Sequence, residues 1–161
     1  MGTNGTDVAD TGLFLEDFRE GAVYETPEHE VTQEDIDEFA ALTGDHNPLH
    51  TDPEYCKGTV YGATIAHGLL VFGIFTGLSH QLGILSGTAL AFLGIDGWKF
   101  REPVLVGDRV RGRITIVDTR RTQSDPSRGV VTRRCEILNQ RDQVVQEGTT
   151  TVLVRSRPAS P

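Results

Sequence analysis

Gly68-Leu-Leu-Val-Phe-Gly-Ile-Phe-Thr-Gly-Leu78 is apolar on nearly every face when wound as a helix, and a helix of that kind is buried on all sides. It lies inside a run from Gly58 to Ile95, thirty-eight residues without one Asp, Glu, Lys or Arg. Its length is well short of the ~20 residues a bilayer crossing needs. The stretch is therefore read as the interior helix of a globular, cytoplasmic domain. Gly73 and Gly77, four positions apart, would let a neighbouring sheet approach closely, although glycine weakens a helix that lacks tertiary packing. A fully buried helix in a chain of 161 residues needs something wrapped around it, and a curved sheet is the natural candidate.

The second half of the chain supplies that sheet. Arg109-Val-Arg-Gly-Arg-Ile-Thr-Ile116 alternates, with Val110, Ile114 and Ile116 on one face and Arg109, Arg111 and Arg113 on the other. Gly129 to Leu138 and Val144 to Val154 are further strands, rich in Val, Thr and Ile, joined by a hairpin-like Asn139 to Asp142. Leu90 to Arg101 is another strand, interrupted by Gly94 and Gly97. Val23 to Val31 is an earlier extended segment that Pro27 confines to an edge. The order is strand, helices, buried helix, then four mostly antiparallel strands. This predicts an α+β fold with helix and sheet segregated, in one domain over residues 13–155. Residues 1–12 read as a disordered leader and 156–161 as a flexible tail.

Ahead of the buried helix, Thr32 is placed to cap a helix whose first turn carries Glu34 and Asp35. Ile36, Phe39, Ala40 and Thr43 share one face, and Gly44 is placed as a left-handed stop. Asp45-His-Asn-Pro-Leu-His50 follows as an irregular bend, because Pro48 disfavours helix at Asn47 and has no amide hydrogen. Asp52 and Pro53 then offer a cap and first position for a short helix near Glu54 to Lys57.

Bulk properties exclude some functions. The net charge of −8 argues against a nucleic-acid partner, which would favour a basic face. That charge is uneven: residues 1–96 carry sixteen acidic and two basic side chains, residues 97–161 seven and thirteen. Such a split is either two solvated surfaces or a set of arginines meeting an anionic ligand. Cys56 and Cys135, the only cysteines, suit reduced thiols rather than a disulfide framework or zinc site.

Two places hold residues suited to chemistry. On the bend, Asp45 and His50 could share a water and remove one of its protons, with Asn47 orienting either partner. The same residue types also populate ordinary turns, and both readings stand on the residues alone. A metal on Asp45, His46, His50 and Asp52 is disfavoured, since Pro48 breaks the helical face that would align His46 with His50; no metal is expected. The second place is Ile65-Ala-His-Gly-Leu-Leu70. A helix N-terminus offers free amide hydrogens, and Gly68 lets a thioester carbonyl come close to them. His67 reads as a satisfied interior histidine.

At these residues the chain resembles the MaoC-like family, specifically the (R)-specific enoyl-CoA hydratases known as hydratase 2. The resemblance rests on Phe39-Ala-Ala-Leu-Thr-Gly-Asp-His-Asn-Pro-Leu-His50 and Ile65-Ala-His-Gly-Leu-Leu70. Trp98-Lys-Phe-Arg-Glu-Pro-Val-Leu-Val-Gly-Asp108 resembles the family's strand into a Pro-Val-x-x-Gly-Asp turn. The resemblance implies a hot-dog fold, a sheet wrapped around a long central helix. It implies (R)-specific hydration of a trans-2-enoyl-CoA, or the reverse dehydration, with Asp45 and His50 activating one water. Gly68 would donate its amide to the thioester oxygen, with Asn47 and Thr76 in support, although Thr76 is bulkier than the serine common there. It implies a homodimer with acyl-CoA between subunits and no cofactor, coenzyme A being part of the substrate. No nucleic acid or membrane partner is implied. Two other readings remain: a non-catalytic acyl-thioester-binding or scaffold subunit of a heteromeric hydratase, and a hot-dog thioesterase. The intact Asp45–His50 pair counts against both.

Overall fold

The computed structural model describes residues 12–157, so the leader (Gly12 apart) and residues 158–161 lie outside the described part. After a single 3-10 turn at Leu15–Asp17, the elements are β1 Val23–Glu30, α1 Gln33–Thr43, α2 Pro48–Thr51, α3 Pro53–Lys57, α4 Gly68–Gln81, β2 Ala89–Phe100, β3 Arg109–Arg121, β4 Arg128–Asn139 and β5 Val144–Arg155. The strands form one sheet in the order β1-β3-β4-β5-β2, and every neighbouring pair is antiparallel. The sheet packs on α4, which is the hot-dog arrangement. Val110, Ile114, Cys135, Ile137 and Val145 line its inner face against Val71 and Phe75 of α4. Most irregularities fall where the sequence breaks: β1 shifts register between Glu25 and Glu28, around Pro27, and two of the three shifts in β2 fall at Gly94 and Gly97, the third lying between Ala89 and Ala91.

The close approach of sheet and helix comes from a different glycine than the expected ones. A side chain at Gly112 of β3 would meet the Phe75 ring at 2.5 Å, so only hydrogen fits there. Gly73 and Gly77 instead face open space among the described residues. The helix itself is not enclosed on all sides: Val71, Phe75, Leu78 and Ser79 are buried, whereas Gly73, Thr76, Gly77 and His80 are exposed and Leu69 is 64% exposed. Hydropathy on every face marked a helix that needs cover all round, and one chain's sheet covers one side of it.

The bend after α1 also differs from expectation. Pro48 starts α2 at its first position, where the missing amide hydrogen costs nothing, and Asn47 caps it by accepting from the Leu49 amide at 3.0 Å. Asp45 to Asn47 remain irregular, and His50 rides on a short helix. The two described residues of the expected flexible tail are held: Ser156 Oγ donates to Glu16, and the Arg157 amide donates to the same carboxylate at 3.1 Å. At the other end, Gly12 donates its amide to the Ser86 carbonyl at 2.9 Å.

The uneven charge resolves into pairing across the sheet. On the outer face Glu25 meets Arg113 at 3.0 Å and Arg111 at 3.7 Å, and Glu28 meets Arg109 at 3.5 Å. Arg121 and Arg157 pair with Glu16 and Asp17 beside the 3-10 turn. Acids of the first half thus neutralise arginines of the second, and these arginines are engaged within the chain. Among the described residues no helix is long and apolar enough to cross a membrane.

One compact turn registers the site-bearing segments. Gly107, at φ +89°, sends its amide to the Val31 carbonyl at 2.8 Å, while the Val31 amide returns to the Asp108 carbonyl at 2.8 Å. Ala66 donates to the Val104 carbonyl at 2.7 Å. The Pro-Val-x-x-Gly-Asp turn therefore holds the residue just before the α1 cap and the residues just before α4. In the α1 cap, Thr32 Oγ1 accepts from the Asp35 amide, and Asp35 accepts from the Thr32 amide at 2.8 Å and from His29 Nε2 at 3.0 Å.

Burial pushes the Asp35 carboxyl up, but hydrogen bonds from Thr32 and His29 outweigh it, and the group lies below its ordinary value of 3.8. The unfolded chain then binds more protons than the folded one through that window. The cap's contribution is complete above the ordinary carboxylate range and is lost as pH falls through the lowered value. Thr32→Ala should lower stability by about 1 kcal/mol, measured by urea unfolding at neutral pH. Asp35→Asn should flatten the acid limb of the stability profile relative to the parent.

Candidate active site

His50 on α2 and His67 at the entrance to α4 are tied to each other's backbone. His50 Nδ1 lies 2.7 Å from the Ile65 carbonyl, and His67 Nε2 lies 2.9 Å from the Asp45 carbonyl. A carbonyl only accepts, so each of these ring nitrogens carries the hydrogen and donates it. That leaves His50 Nε2 and His67 Nδ1 as the nitrogens not used in the clamp. The two rings stack at 3.8 Å between centroids, and the Phe39 ring of α1 lies tilted against His67 at 4.8 Å.

The Asp45 carboxylate completes the group. One oxygen accepts from the Asn47 amide at 3.3 Å, and the other lies 4.0 Å from His67 Nε2. One ligand-type atom from each of Asp45, His50 and His67 falls within 4.8 Å of the other two. The side chains sit in contrasting surroundings: His67 is 3% exposed and Asp45 55%. His67 Nδ1 is buried and has no hydrogen-bond partner among the described residues. Two imidazoles and a carboxylate would also suit a divalent cation. The donor set differs from the one considered in the sequence, since His67 joins it while His46 and Asp52 do not.

Beside this group opens a cleft of about 380 Å³ lined by His50, Tyr61, Gly68, Leu69, Phe100 and Gln146, among others. Gly68 is the first residue of α4, and its amide is one of those a helix leaves without an internal partner. A side chain there would strike the Phe100 ring at 2.5 Å, so glycine is what lets the aromatic wall and the helix start share one space. The Gly68 carbonyl accepts from Gln146 Nε2 at 2.9 Å, and Gln146 Oε1 accepts from Trp98 Nε1 at 3.0 Å. Arg101, also on the rim, is paired with Glu147 at 2.6 Å.

The structure brings Asp45, His50 and Gly68 to one place, with Asn47 acting on Asp45 through its amide while its side chain caps α2. Thr76 is not brought there within one chain. It lies two turns further along α4, about 12 Å by helical rise, on the exposed face, with its hydroxyl donating to the Gly73 carbonyl at 2.7 Å. Sequence reasoning took His67 for a satisfied interior histidine; one of its nitrogens is satisfied, and the ring is also the floor on which His50 rests. The walls at Tyr61 and Gln146 carried no motif, and Phe100, inside the Trp98–Asp108 motif, carried no assigned role; all three come from strands and loops outside the bend.

Comparisons with known proteins identify the family. A family model described as MaoC like domain matches residues 17–137. The 3-hydroxyacyl-thioester dehydratase Z of Mycobacterium tuberculosis is 40% identical over 88 residues, 54% of this chain. The match spans 58% of that relative's own length. An (R)-specific enoyl-CoA hydratase of Rhodospirillum rubrum is 33% identical over 147 residues, covering 89% of this chain and 93% of the relative. Among solved structures, one described as a monoamine oxidase regulatory protein from Archaeoglobus fulgius superposes with a TM-score of 0.84 at 36% identity, covering 91% of this chain and 97% of that one.

His67→Phe keeps the aromatic stack and removes the donor to the Asp45 carbonyl. It should destabilise the fold by about 1–3 kcal/mol, the cost of an orphaned polar group, in denaturant unfolding. His67→Gln, which can still donate, should recover part of that loss.

Proposed function

The chain belongs to the MaoC-like domain family, and from that premise we propose that it catalyses the (R)-specific hydration of trans-2-enoyl-CoA and the reverse dehydration. The observation that carries the reading is the convergence of a carboxylate and an oriented imidazole beside a cleft that includes the start of α4.

In this mechanism the Ile65 carbonyl holds His50 in the tautomer with a bare Nε2. That nitrogen accepts one hydrogen of a water and Asp45 accepts the other, which leaves an oxygen lone pair aimed at the substrate. Asp45 takes the proton as the oxygen bonds to Cβ. The electrons of the double bond move onto the thioester oxygen, where the Gly68 amide and the partial positive charge of the helix start stabilise the developing anion. A proton returned to Cα on the same face completes addition of one water and gives the (R)-3-hydroxyacyl thioester. No metal or organic cofactor takes part; coenzyme A enters as part of the substrate.

We place the working unit as a homodimer. β2 is an edge strand carrying Leu90, Phe92, Leu93, Ile95 and Phe100 at 44–56% exposure, and an apolar open edge invites strand pairing. The exposed side of α4 adjoins the same region, since Thr76 and His80 share a cleft with Phe92. A second copy would cover both and enclose the half-exposed Asp45.

Asp45→Asn and His50→Ala should each lower kcat/KM for a crotonyl-CoA-like substrate by ~10²–10⁴-fold, followed by loss of the enoyl-thioester absorbance. Prior dialysis against EDTA should leave the parent rate unchanged. Near-parental turnover by both variants would overturn the mechanism. For assembly, Leu93→Asp combined with Ile95→Asp should shift the mass found by light scattering from dimer to monomer.

A further inference from the structure

Arg133 breaks the pattern of its own strand. On β4, Val131, Arg133, Cys135 and Ile137 alternate onto one face; Val131, Cys135 and Ile137 are completely buried, and Arg133 is 4% exposed. An arginine so placed is among the rarest core residues unless it is paired. Arg109, Arg111 and Arg113 on the sheet's outer face have carboxylate partners, but this inward-facing one has none among the described residues. Its Nε donates to Thr150 Oγ1 at 3.2 Å, and Thr150 Oγ1 is in turn bonded to Cys135 Sγ at 3.3 Å. A guanidinium has five N–H donors, so most of the fork is left without a protein acceptor.

The side chain opens onto a cleft of about 290 Å³, separate from the one beside His50 and on the side of α4 and β2 that the proposed second copy would cover. Phe75, Leu85, Ala91, Phe92 and Val152 give it apolar walls. The hydroxyls of Thr76 and Ser79, which also border it, donate to carbonyls of α4 itself. His80 stands at the same cleft, and among the described residues no acidic group lines it. A planar cation at the end of an apolar chamber matches a planar anion on an apolar stem.

We propose that this cleft binds a carboxylate carried on a short aliphatic chain, the carboxylate lying bidentate on Arg133 and the chain running along Phe75, Phe92 and Val152. The same chemistry is offered by a free alkanoate or by the far end of a dicarboxylic acyl thioester. The second source alone rests on the hydratase reading.

The test uses the full-length chain and amide NMR titration with sodium hexanoate, with 1-hexanol as the neutral counterpart and adipyl-CoA as the thioester. Hexanoate should give saturable shifts at Thr76, Ser79, Ala91 and Val152, and hexanol should bind more weakly by about tenfold or more, the loss expected for a charge-assisted bidentate contact. Arg133→Met should abolish that preference while remaining folded, since replacing an unpaired buried charge by an apolar side chain is commonly neutral or stabilising. Arg133→Lys, which keeps charge without the fork, should fall between. Shifts from adipyl-CoA at both clefts would identify the thioester source, and shifts from hexanoate alone the free acid; either supports the proposal. Equal binding of hexanoate and hexanol, or hexanoate binding by Arg133→Met equal to the parent's, would overturn it. So would a dimer that dissociates in Arg133→Met while neither carboxylate binds the parent, because the counter-ion would then be a second copy's acid. The hexanoate arm does not involve Asp45 or His50, so its failure leaves their chemistry untouched.

Discussion

Two backbone carbonyls, of Asp45 and Ile65, fix the geometry on which the site depends. Each accepts from a histidine belonging to the other segment, so the bend after α1 and the approach to α4 are joined by a reciprocal pair of hydrogen bonds. A single bond would leave a hinge. Two bonds with the rings stacked between them remove the relative rotation as well as the separation. The arrangement also selects the tautomer of both imidazoles through backbone carbonyls, the hydrogen-bond acceptor in each case. Asp45 keeps its carboxylate half exposed, one oxygen accepting from the Asn47 amide and the other 4.0 Å from His67 Nε2.

That clamp would be useless if its two halves were not delivered to the same place. The Gly107–Asp108 turn performs the delivery by bonding to Val31 on one side while Val104, in the same loop, accepts from Ala66 on the other. Asp108 is 8% exposed and is satisfied by the Leu105 amide and by Gln140. A buried carboxylate with those partners is a structural pin, which accounts for a Gly-Asp pair lying far from the reacting groups in sequence. The positive φ of Gly107 is required at the one point where the chain reverses tightly enough to reach both segments.

The alternation of β3, the cap at Thr32, the stop at Gly44 and the apolar α4 were legible because each is a local signal with a local cause. β3 runs on to Arg121, five residues past its expected end, because pairing with β4 continues after the alternation fades; the other strands lie within one residue of expectation. The reading that misled was hydropathy around α4. An apolar surface states that cover is needed and does not say whose; Leu69, Gly73 and Gly77 remain open on a single chain. Gly73 and Gly77 were credited with the close approach that Gly112 provides, since a helix repeat is visible in sequence and a glycine opposite a phenylalanine on another element is not. In the site, Asp45 and His50 could be found from one short motif. The stack on His67 and the aromatic wall at Phe100 join residues separated by many positions, and no spacing rule encodes them. Arg133 was legible in principle: its place between Val131 and Cys135 in a strand of period two already puts it on the inner face.

Charge provides the last step. The acidic first half and basic second half suggested either separate surfaces or an anionic ligand. Four acids of the first half, Glu16, Asp17, Glu25 and Glu28, pair with arginines of the second where β1 lies against β3 and where the 3-10 turn meets the end of the described chain. Exposed pairs of this kind contribute little stability each, but they restrict register: a one-residue slip of β1 would set Glu25 against the inner face rather than beside Arg113. Arginines that have acids beside them are thus accounted for by the sheet alone. An arginine that faces inward without one is not, because burial disfavours its charged form and outweighs what the neighbouring Cys135 returns. Sequences that specify a fold avoid such conflicts except where something else uses the residue. That physical contrast, between the paired outer arginines and unpaired Arg133, separates charge that organises the protein from charge available to what it binds.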